Sequence, residues 1–299
     1  MTALKFGVIG MSEGNGHPYS WSAIFNGYDA DAMRDCPFPA IPEYLARRRF
    51  PGDAIAGAHV TEVWAEDRGQ AEHIARAAKI DRVVDDFREM IGRVDGVLLA
   101  RDDAENHARF AAPFLEAGVP VYIDKPLALS VAAALELLAR QKFPGQIFTC
   151  SALRYAREFE LSEGAKRELG VIRFVQGTVP KDWDRYAIHV IEPALNVLGR
   201  QGAIVESDGF RAGDVHVANI VWESGVIATF SALGKTAAPI ALRFVGTLGH
   251  RDMVFADSFS AFKSALMAFV KSVTERRAQI PPDVVLDAVA VIEAGRKAH

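Results

Sequence analysis

Along the first third of the chain, short apolar runs alternate with segments of helical spacing. That alternation narrows the fold more than any other feature. "LKFGVIG" reads as a buried strand ending in glycine, and "AHVTEVWA" (Ala58–Ala65) as a second β-rich run. "DRGQAEHIARAAK" has helical spacing, with Asp67 placed to cap its start. "VDGVLLA" (Val94–Ala100) is a third apolar run bounded by turn residues. The spacing predicts a helix over "DDAENHARFAAPFLEAG", opening near Asp102 or Asp103 and stopped by Gly118, and "VPVYI" is the next strand. Strands alternating with helices argue for a parallel sheet with right-handed crossovers.

After about residue 126 the pattern changes. Two helical segments surround "GQIFTC", and longer β-rich runs follow: "VIRFVQGTV", "DVHVANIVWE", "GVIATFSAL" and "IALRFVGTLG". Gly225 after Glu-Ser suits a hairpin turn between two of them. The chain closes with two helical segments around the break "IPP". The predicted organisation is therefore α/β, in two domains. Residues 1–125 form a Rossmann-type doubly wound parallel sheet, and residues 126–299 an α+β domain with a large, mostly antiparallel sheet. Residues 29–57 have the look of an insertion, with Pro37, Pro39, Pro42 and Pro51 and a basic Arg47–Arg49 that reads as a solvated face.

A length of 299 residues fits two domains, and half the residues are apolar, as in ordinary globular proteins. Net charge is −4, with no long run of one sign, so nucleic acid is not an expected partner. No apolar stretch approaches the ~18 residues that span a membrane, and "MTALKFGVIG" lacks the parts of a secretion signal. A cytoplasmic protein is the expectation. Cys36 and Cys150 fit no metal-ligand spacing and read as buried thiols, so no metal is expected.

A dinucleotide's pyrophosphate sits at a glycine-bearing turn after the first strand of such a sheet, where the backbone approaches the phosphates. Here the turn is "GVIGMSEGNGHPYSW", with Gly10, Gly14 and Gly16. A motif started at Gly10 would put its second and third glycines on Ser12 and Asn15. The acid expected to hold the ribose is displaced by the insertion, to Glu66 or Asp67. On these residues alone the turn is equally consistent with a loop that only changes the chain's direction.

The lysine of "PVYIDKPLALS" is the next anchor. Lys125 follows a strand's carboxyl end, the edge where open α/β sheets bind ligands, and Pro126 confines its backbone to an extended region. A lysine shielded from water suits proton transfer near neutral pH. A surface lysine beside a turn proline reads the same from these three residues. "YIDKPLA" resembles the "EKPLA" of the family of glucose–fructose oxidoreductase, inositol dehydrogenase and rhizopine-catabolism proteins, with Asp124 in place of Glu. "DGVLLARDDAENHARFAAPFLEAGVPVYIDKPLA", including His107, is similar to that family's run from the fourth strand to the lysine, and "RELGVIRFVQGTV" looks like its entry into the second-domain sheet.

The resemblance implies that Lys125 is catalytic and that a second-domain histidine works with it. "DWDRYAIHVIEPALNVLG" is similar to the family's D-x-G-x-H-x-x-D stretch. It puts His189 on the motif histidine and Glu192 on the last acid, while Arg185 holds the first acid's place and Asp184 is one residue early. On one helix Arg185, His189 and Glu192 would share a face. "ARDD" replaces the family's Thr-Pro and places Arg101 and Asp102 near the nicotinamide ribose. The cofactor contacts implied are Gly10, Ser12, Gly14, Asn15, Glu66, Arg101, Asp102, His107, Asp124 and Lys125.

His17, Tyr19 and Trp21 follow the first strand and offer stacking area to a sugar ring, or else pack the first helix. Arg154 and Tyr155 open the second domain on the side the family turns to substrate, with Asp184, Arg185, His189 and Glu192, and Trp183 closing the same pocket. Arg101, Arg154 and Arg185 together point to an anionic group on a polyhydroxylated ligand.

The first reading is an NAD(P)-dependent oxidoreductase that passes hydride to or from a hydroxyl-bearing carbon of a sugar, sugar acid or cyclitol. Its cofactor would be NAD or NADP, with Glu66 and Asp67 favouring NAD and Arg68 pulling the other way. The alternative is a non-catalytic ligand-binding or regulatory protein on the same scaffold, favoured by the altered turn and the lost acid. Hydrolysis or elimination without a cofactor is a third reading. The resemblance also implies a homo-oligomer, dimer or tetramer, formed through the open face of the second-domain sheet.

Overall fold

The computed structural model describes residues 3–297. The chain divides into two compact units that are not contiguous in sequence. The first takes in residues 3–124, 136–149 and 262–280, and the second residues 125–135, 150–261 and 281–297.

The first unit is built as β1 (Leu4–Ile9), α1 (His17–Asn26), α2 (Ala30–Arg34), α3 (Ala40–Ala46), β2 (Ala58–Trp64), α4 (Arg68–Ala77), β3 (Arg82–Val83), β4 (Gly96–Leu99), α5 (His107–Ala117) and β5 (Val121–Ile123). After α6 (Val131–Leu138), which runs across the unit boundary, β6 (Ile147–Phe148) completes it. The six strands are all parallel, in the order β3-β2-β1-β4-β5-β6. The sixth strand thus comes from beyond residue 125, from chain that sequence reasoning put in the second domain.

Both faces of this sheet are covered, as successive side chains of β1 show. Phe6 meets Phe25 of α1 at 5.3 Å and Phe269 at 5.3 Å, while the space on the opposite side of Gly7 is filled by Met90. The insertion packs with this unit: Tyr19 of α1 lies 6.5 Å from Phe38, in the segment between α2 and α3. Cys36 and Cys150 are both buried, as expected.

The second unit holds α7 (Glu163–Leu169), β7 (Ile172–Val179), α8 (Trp183–Tyr186), α9 (Ile188–Leu198), β8 (Ile204–Ala212), β9 (Val215–Trp222), β10 (Ile227–Leu233), β11 (Ala241–Gly246) and β12 (His250–Val254). α10 (Ser258–Glu275) begins in this unit and continues into the first, and α11 (Pro282–Lys297) returns to the second. Its sheet runs β12-β11-β7-β10-β9-β8, antiparallel except for the parallel pair β7–β10. One face is core: Ala218, Ile220, Phe230 and Ala228 are fully buried under α9 and α11. The other face, expected to be covered as well, carries half-buried Phe174, Val217 and Val221 and exposed Ile227 and Phe210. Among the described residues no helix is long and apolar enough to cross a membrane.

Candidate functional site

In the first unit, the loops after β1, β4 and β5 meet at the carboxyl edge of the parallel sheet. They are joined by side chains that stand where a dinucleotide motif has glycine. Ser12 Oγ donates to Asp102 at 2.6 Å and accepts the Asp102 N–H at 3.1 Å, tying the first loop to the second. Asn15 Nδ2 donates to the fully buried Asp124 at 2.8 Å, and Asn15 Oδ1 accepts the His17 N–H at 2.8 Å. Ser12 and Asn15 therefore serve as polar staples, and the turn's shape comes from them as much as from glycine.

The turn still has features that fit a pyrophosphate. Gly14 lies at φ +77°, with nothing within 4 Å of where a Cβ would stand. The N–H groups of Gly14 and Gly16 have no hydrogen-bond partner among the described residues. The start of α1 contributes less than usual, because Pro18 has no N–H and the His17 N–H is taken by Asn15. Just past the end of β2, Glu66 is exposed and lies 3.4 Å from Arg101.

Other expected residues of this unit have structural partners. Arg101 is buried and grips Asp103 through two bonds, of 2.9 and 2.7 Å, with Glu66 at 3.4 Å. His107 Nε2 bonds to the Arg101 carbonyl at 2.8 Å and holds this loop down on α5. Tyr19 and Trp21, offered for a sugar ring, are both 1% exposed, so they have no face to give. Tyr19 bonds through its hydroxyl to His73 of α4 at 2.7 Å, and Trp21 stacks on Tyr122 at 4.6 Å. They are core, because α1 has a buried apolar face to fill. His17 alone of this trio keeps a partly exposed edge, with its Nδ1 2.5 Å from Asp124 Oδ2.

In the second unit, Lys125 and His189 both meet the ring of Tyr186. The Lys125 ammonium lies over Tyr186, 5.6 Å from its centroid, and the Tyr186 and His189 rings meet at 75°, with centroids 5.1 Å apart. Lys125 and His189 are both buried. Ser151 Oγ bonds to His189 Nδ1 at 2.8 Å, and the Ser151 N–H donates to Glu192 at 2.6 Å. Ser151 thus orients the imidazole and anchors the acid one helical turn further on. Burial pushes the Glu192 carboxyl up to about 7, against the pull of Arg154 at 3.6 Å and of the Ser151 N–H. Burial also raises the Tyr155 phenol, so it stays a protonated donor at neutral pH.

Arg185 stands on α8 while His189 and Glu192 share α9, and Ala187 between them keeps a helical backbone at φ −57° and ψ −31°. Asp184 points instead to Arg296 of α11, at 3.1 Å. Trp183 does not close a pocket: its Nε1 donates to the Ile292 carbonyl at 3.1 Å, and its ring stacks on His216 at 4.5 Å. Of the three arginines read as signs of an anionic ligand, Arg101 is bonded to Asp103, and Arg154 lies 3.6 Å from Glu192 with its Nη1 making no hydrogen bond among the described residues.

Ser151 and Tyr186 escaped the reading of the sequence. Both carried a signal: Ser151 lies just beyond a strand's carboxyl end, and Tyr186 precedes His189 by three residues on a helical stretch.

Residues 39–150 match the oxidoreductase family with an NAD-binding Rossmann fold designated Gfo/Idh/MocA. The chain is 32% identical over 133 residues to the inositol 2-dehydrogenase of Acidothermus cellulolyticus, across 44% of this chain and 38% of that protein. It therefore aligns with well under half the length of this relative. In fold it is similar to myo-inositol 2-dehydrogenase of Lactobacillus plantarum, with a TM-score of 0.75 at 16% identity over 99% of this chain and 97% of that one. The scyllo-inositol dehydrogenase of Lactobacillus casei, solved with bound NAD(H) and scyllo-inositol, has a TM-score of 0.72 at 15% identity over 99% and 97%. The matched stretch runs from the insertion through β5 and the lysine segment to the start of the second unit, and over it the chain is similar to the Gfo/Idh/MocA oxidoreductases.

Proposed function

We propose that the protein is a nicotinamide-dependent oxidoreductase acting on a hydroxyl-bearing carbon of a cyclitol, sugar or sugar acid. The observation that carries this reading is the buried Lys125, whose ammonium lies over a tyrosine ring that also meets His189. The glycine turn with its open N–H groups and the exposed Glu66 fit the cofactor's pyrophosphate and ribose. When bound, nicotinamide supplies the acceptor or donor of the hydride. Lys125 holds and moves the proton of the reacting hydroxyl. His189, oriented by Ser151, hydrogen-bonds to the same or a neighbouring hydroxyl, and Tyr186 confines the lysine. Glu66 at the ribose favours NAD over NADP, since a carboxylate repels a 2′-phosphate.

A second reading has its own support. With Pro18 at its start, α1 offers few free N–H groups, as expected of a scaffold that binds a ligand without the cofactor.

Calorimetric titration with NADH and, separately, NADPH separates the two. Micromolar binding of NADH, followed by NAD-dependent oxidation of a panel of inositols, aldoses and aldonic acids, is the expected outcome. Lys125→Ala is then expected to lower kcat by about 100-fold or more while NADH still binds. Folded protein that binds neither nucleotide moves the assignment to the ligand-binding protein.

A further inference from the structure

We propose that Arg154 seats a carboxylate of the ligand, so that the second unit takes a sugar acid in preference to a neutral sugar or cyclitol. The oxidoreductase reading enters only in making that ligand a polyol, and every residue involved belongs to the second unit.

Ser151 fixes where the arginine stands. Ala152–Tyr155 form a short turn just beyond β6, and Ser151 Oγ caps it by accepting the Leu153 N–H at 3.2 Å. The turn packs on α9, where the same serine bonds to His189 through its hydroxyl and to Glu192 through its N–H. Arg154 is thereby tied to the helix that carries His189, the ring beside which Tyr186 holds Lys125.

The guanidinium is largely buried, yet no described residue takes a hydrogen bond from it. Its side chain is 14% exposed. Nη1 is fully buried and faces Glu192 Oε1 at 3.6 Å, beyond hydrogen-bond distance, while Glu192 Oε2 is spent on the Ser151 N–H. Nε and Nη2, the other edge of the fork, reach the surface without a partner among the described residues. That edge is the one this protein gives to carboxylates elsewhere. Arg101 and Arg243 each present Nε with Nη2 to both oxygens of an acid, Asp103 and Asp252. In Arg154 the same edge is open.

A mostly buried cation left without hydrogen bonds is costly, so the missing acceptor belongs to what the site binds. The planar fork matches a carboxylate. A single guanidinium beside Glu192 suits one negative charge and not the two of a phosphate. Burial pushes the Glu192 carboxyl up to about 7, so near neutral pH it can take a proton and leave the cation to an incoming anion. Tyr155, next along the turn, adds a hydroxyl that burial keeps protonated and that makes no hydrogen bond among the described residues.

Calorimetric titration of the full chain with D-glucuronate and D-gluconate, against D-glucose and myo-inositol, tests this, with and without saturating NADH. The wild type is expected to bind at least one acid about tenfold or more tightly than its neutral counterpart. Arg154→Lys keeps a positive charge beside Glu192 but loses the fork, and is expected to bind acid and neutral sugar within about threefold of each other. Glu192→Gln removes the competing carboxylate and is expected to hold the acid at least as tightly as wild type. Equal binding of acids and neutral sugars by the wild type, no binding of either acid in both series, or a preference undiminished in folded Arg154→Lys overturns the proposal. The NADH titration decides the oxidoreductase reading separately. Acid preference in protein that binds no nucleotide upholds this site as that of a ligand-binding protein, and nucleotide binding without acid preference sinks the proposal alone.

Discussion

Ser12, Asn15, Asp102 and Asp124 show how single residues can replace a motif. Glycines let a backbone come close to a phosphate. Here two of the motif positions carry side chains that bond to neighbouring loops at 2.6 and 2.8 Å, so the turn is shaped by cross-links between loops. In the second unit, Glu192 makes a residue-scale prediction. Its carboxyl rises from 4.5 to about 7 because it is buried, so between those pH values the native state holds a proton that the unfolded state has released. Stability therefore falls as pH rises through that window and its loss is complete above it, by about 3 kcal/mol at ~1.4 kcal/mol per pH unit. Glu192→Gln cannot ionise. In urea denaturation its stability relative to wild type is expected to improve from about pH 5 to about pH 8. Parallel pH curves for the two proteins would contradict this.

Helix ends supply the prediction at the scale of the element. α4 begins where Asp67 accepts the Gln70 N–H at 2.7 Å, as its place before the helical spacing indicated. α5 ends at Gly118, which lies at φ +77° in the left-handed region that L side chains avoid. Gly118→Ala is expected to cost about 1–2 kcal/mol in denaturant unfolding through backbone strain alone, since nothing lies within 4 Å of the added methyl. Unchanged stability would mean that the turn relaxes without cost. The stretch "DRYAIHVIE", read as one helix, forms the end of α8 and the start of α9, joined through Ala187 with its backbone still helical.

At the scale of the whole molecule, the chain enters the second unit at the Asp124–Lys125 peptide and returns to the first for β6 and most of α10. The second unit's sheet leaves one face with apolar rows, Phe210–Val217 and Ile227–Phe174, on either side of the polar row Asp208–Asn219–Thr229. We infer that this face associates in a homo-oligomer. Phe210→Asp with Ile227→Asp is expected to give a smaller species in sedimentation, with each subunit still folded. A wild-type monomer at micromolar concentration would refute it. The alternation of strands and helices, the cap at Asp67, the stop at Gly118 and the placing of Lys125 beyond a strand were all legible along the chain, because each depends on neighbours within a few residues. The recruitment of residues 136–149 and 262–280 to the first unit was not. Nor were the staples from Ser12 and Asn15, the burial of Trp21, the pairing of His17 with Asp124, or the meeting of Lys125, Tyr186, His189 and Ser151. Each of these joins residues far apart in sequence, and their partners are chosen by which loops the folded sheets bring to one edge. Strand and helix periodicity comes from local geometry, whereas hydrogen-bond partners and burial come from packing, which only the tertiary structure decides.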